Sequence, residues 1–257
     1  MELGPHNWGR PRDDVYGSYN AAAGGCKMNT QSPIMTGTSV IATKFKGGIV
    51  MAADNLASYG SLARFRDQER IVKVGERTVV GISGDISDLQ YVERLLDQLV
   101  VDTSYDCEGT EIANLEPANV YEHLAYVLYG RRNKMNPLWV ACVVGGVDSK
   151  GECFLGQVDL LGVKYKSPSI ATGFGAHMAV PLLRRLIPDE DRFEEIDEKS
   201  AVDAIDECMK VLVYRDARAL DKYTRVVVTS EGVKITKGVQ CEKMNWEFAE
   251  TIKGYGY

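Results

Sequence analysis

The chain has no CxxC or CxxH spacing among its six cysteines, only three histidines, no apolar run long enough to span a bilayer and no surplus of basic charge. Each absence removes a class of function. Cysteines scattered at 26, 107, 142, 153, 208 and 241 offer neither a thiolate cage for zinc nor a dithiol redox pair, and they read as free thiols of a reducing compartment. A net charge of −6 gives no electrostatic footing for nucleic acid or an anionic membrane. Residues 1–29 lack the apolar stretch of a secretion signal, and they are rich in Gly, Asn and Pro with few aliphatics. Such a segment reads as a disordered leader or propeptide. What remains is an ordinary globular composition, 45% hydrophobic and 26% charged over 257 residues, enough for one large core in a soluble intracellular protein.

From Thr38 the pattern turns strand-like. SVIATKF alternates, GGIVMAA is a continuous apolar run, and RIVKVGERTVVGISG reads as a hairpin around Gly75. The period then changes to that of a helix. Ser87 with Gln90 forms a capping box, followed by Leu89, Val92, Leu95, Leu96 and Leu99 on one face. Pro117 suits the first turn of a second helix that turns Val120, Leu124, Val127 and Leu128 inward. LWVACVVGGV, CFLGQVD and GVKYKSPSIAT read as strands punctuated by glycines. Two further helices follow over about 175–187 and 199–219, the second with Val202, Ile205, Met209 and Leu212 in register, and the hairpin TRVVVTSEGVKI closes the body. Strands grouped apart from helices indicate an antiparallel α+β architecture rather than a parallel βαβ sheet. The expected fold is a four-layer αββα sandwich of two antiparallel sheets flanked by helix pairs, spanning residues 38–240, with a short extension at 30–37 and a tail at 241–257.

The segment TGTSVIATKFKGGIVMAAD, residues 36–54, reads as two strands joined by a Gly47-Gly48 turn and ending in a carboxylate. With YGSLARFR, GISGD, KMNPLW, ATGFGAHMAVPLLRRL, YRDAR and the closing NWEFAETIKGY, it resembles the β subunits of the 20S proteasome, and the non-catalytic beta type-4 branch in particular. The resemblance covers nearly everything after residue 29 and implies the N-terminal nucleophile hydrolase fold.

It also implies where a threonine nucleophile would sit. Thr38, preceded by Gly37, matches that position, and Asp54 is retained. The hydroxyl of threonine needs an adjacent base, which in this family is the residue's own freed amine tuned by a lysine. Here the lysine position holds Arg70, which cannot give up its proton. Two supporting serine positions hold Phe174 and Ala219. Asp216 and Gly84, the latter tied by the resemblance to the oxyanion hole, do match. The expectation is a relic site of Thr38, Asp54, Arg70, Gly84, Phe174, Asp216 and Ala219, with Asp54 and Arg70 as a structural ion pair and no catalytic residue. His6, His123 and His177 have no partners that would make a triad, and no metal or organic cofactor is implied.

The resemblance further implies leader removal between Asn29 and Thr30, which would leave eight residues ahead of Thr38 and deny it a free amine. An uncut terminus is the alternative. Trp246, Phe248 and Ile252 place apolar groups beyond the last core strand, and the resemblance implies that they reach subunits of a facing ring. Packing on the chain's own body is the competing reading. The function implied is a non-catalytic structural and assembly subunit of the β ring, partnered by other α and β subunits in cytoplasm and nucleus, with neither nucleic acid nor membrane as partner. Two rivals stay open: an active threonine endopeptidase using Thr38, and a freestanding hydrolase or binding protein.

Overall fold

The computed structural model describes residues 33–106 and 115–252, within a compact unit that runs from Ser32 to Tyr257. The leader, the proposed cut at Asn29 and Thr30, and His6, Cys26 and Cys107 lie outside the described residues.

Two antiparallel sheets stack face to face. The first contains β1 (Met35–Gly37), β4 (Ala57–Tyr59), β5 (Leu62–Phe65), β6 (Ile71–Val74), β7 (Thr78–Asp85), β8 (Val140–Val147), β9 (Cys153–Val158) and β10 (Lys164–Lys166). Its order is β10-β9-β8-β7-β1-β4-β5, with β6 also pairing β7. The second has the order β11-β2-β3-β12-β13, built from β2 (Val40–Phe45), β3 (Gly48–Asp54), β11 (Ser169–Ala171), β12 (Lys222–Thr229) and β13 (Gly232–Gln240). Helices α1 (Ile86–Asp106) and α2 (Pro117–Asn133) pack on the first sheet. Helices α3 (Gly175–Leu186) and α4 (Glu198–Arg215) pack on the second. This is the αββα sandwich read from the sequence.

Three apolar clusters fill the three spaces between these layers. Val80, Ile82, Leu89, Val92, Leu96, Val120, Leu124 and Leu128 join the first sheet to its helices. Ile41, Val50, Ala52, Leu183, Ile205, Met209 and Leu212 do the same for the second. Val40, Ala42, Ile49, Met51, Val79, Val143 and Val226 form the interface between sheets. Alternate residues of β2 therefore serve different clusters, and Val40, Ile41 and Ala42 are all buried. The alternation expected for SVIATKF is replaced by burial on both faces, as a central strand between two covered layers requires.

Several boundaries differ from the sequence reading. β1 lies within the 30–37 extension yet is a full member of the first sheet, paired with β7 on one side and β4 on the other. The α1 cap is Asp85 rather than Ser87: its Oδ1 accepts the N–H groups of Ser87 at 2.8 Å and Asp88 at 3.2 Å. Asp85 ends β7, so one residue closes the strand and starts the helix. GVKYKSPSIAT is two strands in different sheets, because the chain crosses between them at Pro168. A 3₁₀ segment at Glu190–Glu195 precedes α4, and α4 stops at Arg215 rather than near 219.

Candidate functional site

The end of α4 explains the first functional position. Asp216 adopts extended backbone angles, φ −98° and ψ 114°, while its N–H still donates to Leu212 O at 2.7 Å. The chain turns there, and Asp216 Oδ1 accepts the Arg218 N–H at 2.9 Å. Its other oxygen, Oδ2, accepts a hydrogen bond of 2.5 Å from the Thr38 hydroxyl. Thr38 itself sits between β1 and β2.

Arg70 occupies the middle of the site and is 1% exposed. All five of its side-chain N–H groups have acceptors. Nε donates to Asp54 O at 2.9 Å, Nη1 to Thr38 O at 2.7 Å and Ile82 O at 3.4 Å, and Nη2 to Ser39 O at 2.9 Å and to Asp54 Oδ1. A guanidinium has no further donor to offer and no lone pair with which to accept a proton. Burial pushes the Asp54 carboxyl up from its ordinary value of 3.8, against the pull of the Arg70 charge. Its Oδ2 is buried without a hydrogen-bond partner among the described residues.

Gly37 is shaped by the same arginine. A Cβ at residue 37 would stand 2.5 Å from Arg70 Cδ, well inside van der Waals contact. Gly84, φ +105°, needs its missing side chain too, since a Cβ would meet Trp139 O at 2.2 Å. The backbone of Gly84 pairs with Gly37 on one side and Val140 on the other, so strand β1 covers the flank of the residue assigned to an oxyanion hole.

Beside this dry half lies a cavity of about 610 Å³ lined by Thr38, Gly84, Trp139, Leu160, Phe174 and Asp216, among others. Phe174 is exposed to it and begins α3 after Gly173, whose φ of +59° makes the turn. Ala219 donates its N–H to Asp216 O at 3.1 Å and carries no hydroxyl. The nearby buried hydroxyl is Ser39, whose Oγ accepts the Gly175 N–H at 2.9 Å and so anchors α3 instead of assisting Thr38. The structure thus gathers Thr38, Asp54, Arg70, Gly84, Phe174, Asp216 and Ala219 in one region. Sequence reasoning missed Ser39 and the carbonyl oxygens of Thr38, Ser39 and Ile82. Ser39 was legible as a hydroxyl next to Thr38, whereas carbonyls carry no residue signature.

The tail packs at a separate place. Trp246 and Phe248 flank Tyr214 of α4 edge-on, with ring centroids 5.0 and 6.0 Å away, and the Asn245 N–H donates to the Tyr214 hydroxyl at 2.7 Å. Trp246, Phe248 and Ile252 remain about half exposed. His123 and His177 lie on α2 and α3. Among the described residues there is no cluster of potential metal ligands, and no helix is long and apolar enough to cross a membrane.

Comparison with known proteins gives a consistent picture. The family described as proteasome subunit matches residues 34–228. Proteasome subunit beta type-7 of Saccharomyces cerevisiae is 51% identical over 262 residues, covering 100% of this chain and 98% of the relative. Proteasome subunit beta type-4 of Xenopus laevis is 46% identical over 227 residues, covering 88% and 90%. A probable proteasome subunit beta type-7 of Schizosaccharomyces pombe is 44% identical, covering 97% and 95%. The similar proteins therefore carry both type-4 and type-7 designations.

Proposed function

Because the chain belongs to the proteasome subunit family, we propose that it is a non-catalytic β-ring subunit of the 20S core particle, contributing shape and contacts to a threonine protease whose chemistry other subunits perform. The saturated arginine supports this reading above all. With five donors engaged, Arg70 holds the backbone on both sides of the Thr38–Ser39 link and leaves no proton acceptor of lysine type beside the hydroxyl.

Two further features point the same way. Gly37 lies in a strand hydrogen-bonded on both edges, which supports the reading that an extension stays ahead of Thr38 and denies it a basic amine. The hydroxyl proton is directed at Asp216, and a carboxylate alone is too weak a base to take it from an alcohol. Partners under this reading are the neighbouring α and β subunits, joined through closed ring symmetry, with the half-exposed Trp246, Phe248 and Ile252 as candidate contacts and the cytoplasm and nucleus as the setting.

N-terminal sequencing of this subunit from the assembled particle tests the proposal. The expected first residue lies upstream of Thr38, at Thr30 if the leader is cut there. Thr38 as the first residue, or covalent labelling by an epoxyketone directed at catalytic threonines, would establish the active endopeptidase instead. Migration as a free chain with no other subunit would establish the freestanding protein.

A further inference from the structure

The first sheet ends at each edge in a fully exposed strand, β10 on one side and β5 on the other. All four residues of β5 are exposed, although the strand is hydrogen-bonded into the sheet. Among the described residues it pairs with β4 alone, which leaves its outer N–H and C=O groups unpaired by them at the sheet edge. Tyr59 stands directly opposite Leu62, so both side chains share a face, and Leu62 and Phe65 are 56% and 47% exposed.

Charge around the strand is uneven in a specific way. Asp67 pairs with Lys222 at 3.2 Å, and Glu69 pairs with Lys237. The local acids are thereby engaged, while Arg64 and Arg66 have no acidic partner among the described residues. The register shifts between Ala57 and Ser58, so Arg64 is the extra residue of a β-bulge with nothing opposite it. Its guanidinium lies 5.2 Å from the centroid of the Phe65 ring. Arginine and aromatic side chains beside an apolar contact are the composition of interface cores rather than of bare solvent-facing edges.

Two arginines on a chain of net charge −6 are too few to hold a nucleic acid backbone or a lipid surface, each of which needs many cation contacts. A short acidic protein segment needs only those two. From the free edge, the apolar pair and the unpaired cations, we infer that the β4–β5 hairpin is a docking edge for another protein subunit, which lays an acidic, extended segment along β5. Backbone pairing would supply the affinity, and Arg64 and Arg66 the choice of partner. The inference rests on the assembly role proposed above and names one surface that serves it.

The test places p-benzoylphenylalanine at Leu62 of the full chain and irradiates the purified native particle. The expected product is a cross-link to a different subunit, mapped by mass spectrometry to a segment bearing Asp or Glu. Arg64→Glu with Arg66→Glu should lower the cross-link yield about tenfold, and Arg64→Lys with Arg66→Lys should keep most of it. Because both arginines are exposed, the unfolding midpoint of the charge-reversed chain should match that of the parent. No cross-link, a cross-link within this chain or to a second copy of it, a target without acids, or a yield indifferent to charge reversal would each overturn the docking edge. Co-migration with other subunits but no cross-link sinks this inference alone, whereas absence of co-migration sinks the assembly reading as well.

Discussion

Thr38 divides its surroundings into two regions that follow opposite rules. On the inner side, Arg70 and Asp54 are sealed from water and every donor of the guanidinium is engaged. On the outer side, Asp216 and Phe174 border a cavity of about 610 Å³ with ample room for a ligand. The inner half is a saturated hydrogen-bond network, while the outer half opens onto the cavity. Under the proposed reading the inner half acts as a strut beside an open cavity, and the two halves should answer mutation very differently.

Arg70→Ala should show the largest effect. It leaves four carbonyl oxygens and one carboxylate oxygen unsatisfied in a dry interior, and breaking a buried pair in this way costs about 3–5 kcal/mol. Urea unfolding of the full chain would register it, and a loss below 1 kcal/mol would erase the distinction drawn above. Next comes Arg70→Lys, which supplies three donors for five acceptors and should cost about 1–3 kcal/mol. If, as proposed, the chain is not cut before Thr38, this substitution should also fail to make Thr38 reactive toward an epoxyketone, because the nitrogen stays acylated. Gly37→Ala should cost about 1–3 kcal/mol by driving a methyl group into the Arg70 stem.

Asp54→Asn is milder, since an amide oxygen can still accept from Nη2. Its effect carries a pH signature. A carboxyl whose folded value is raised gives stability that is fully present below the unfolded value, here 3.8, and is lost as pH climbs through the folded value. The parent should lose stability relative to Asp54→Asn over that window, and parallel curves would show that the Arg70 charge offsets burial completely. Smallest of all is Thr38→Ala. It removes one half-buried hydrogen bond, about 0.5–1.5 kcal/mol, and should leave every peptidase activity of the particle unchanged.

The same division explains what the sequence could convey. The hairpin around Gly75, the inward faces of α1, α2 and α4 and the four layers were legible because each rests on a repeated side-chain pattern. The opposite charges of Asp54 and Arg70 were legible as a pair, yet the network around Arg70 was not, because four of its five acceptors are main-chain carbonyls. Strands β1, β4 and β5 escaped for a related reason. Three or four residues set no period, and their place comes from ladder partners distant in sequence. Asp85 was overlooked as the α1 cap since it also completes β7, and a residue with two roles fits neither template cleanly. For the tail the sequence left two readings, reach to a facing ring or packing on the chain's own body; its rings rest against Tyr214 while about half of each stays exposed.

The position of β1 carries a consequence for any attempt to revive this subunit. Within the sheet, β4 and β5 reach β7 only by way of β1, which acts as a splice between the hairpin and the body. Severing the chain after Gly37 and letting the upstream piece leave would strip one flank of β7 and one edge of β4 of their ladder partners. Under the proposed reading, reinstating a lysine and two serines would supply proton-handling groups next to a strand that the sheet still needs as its splice.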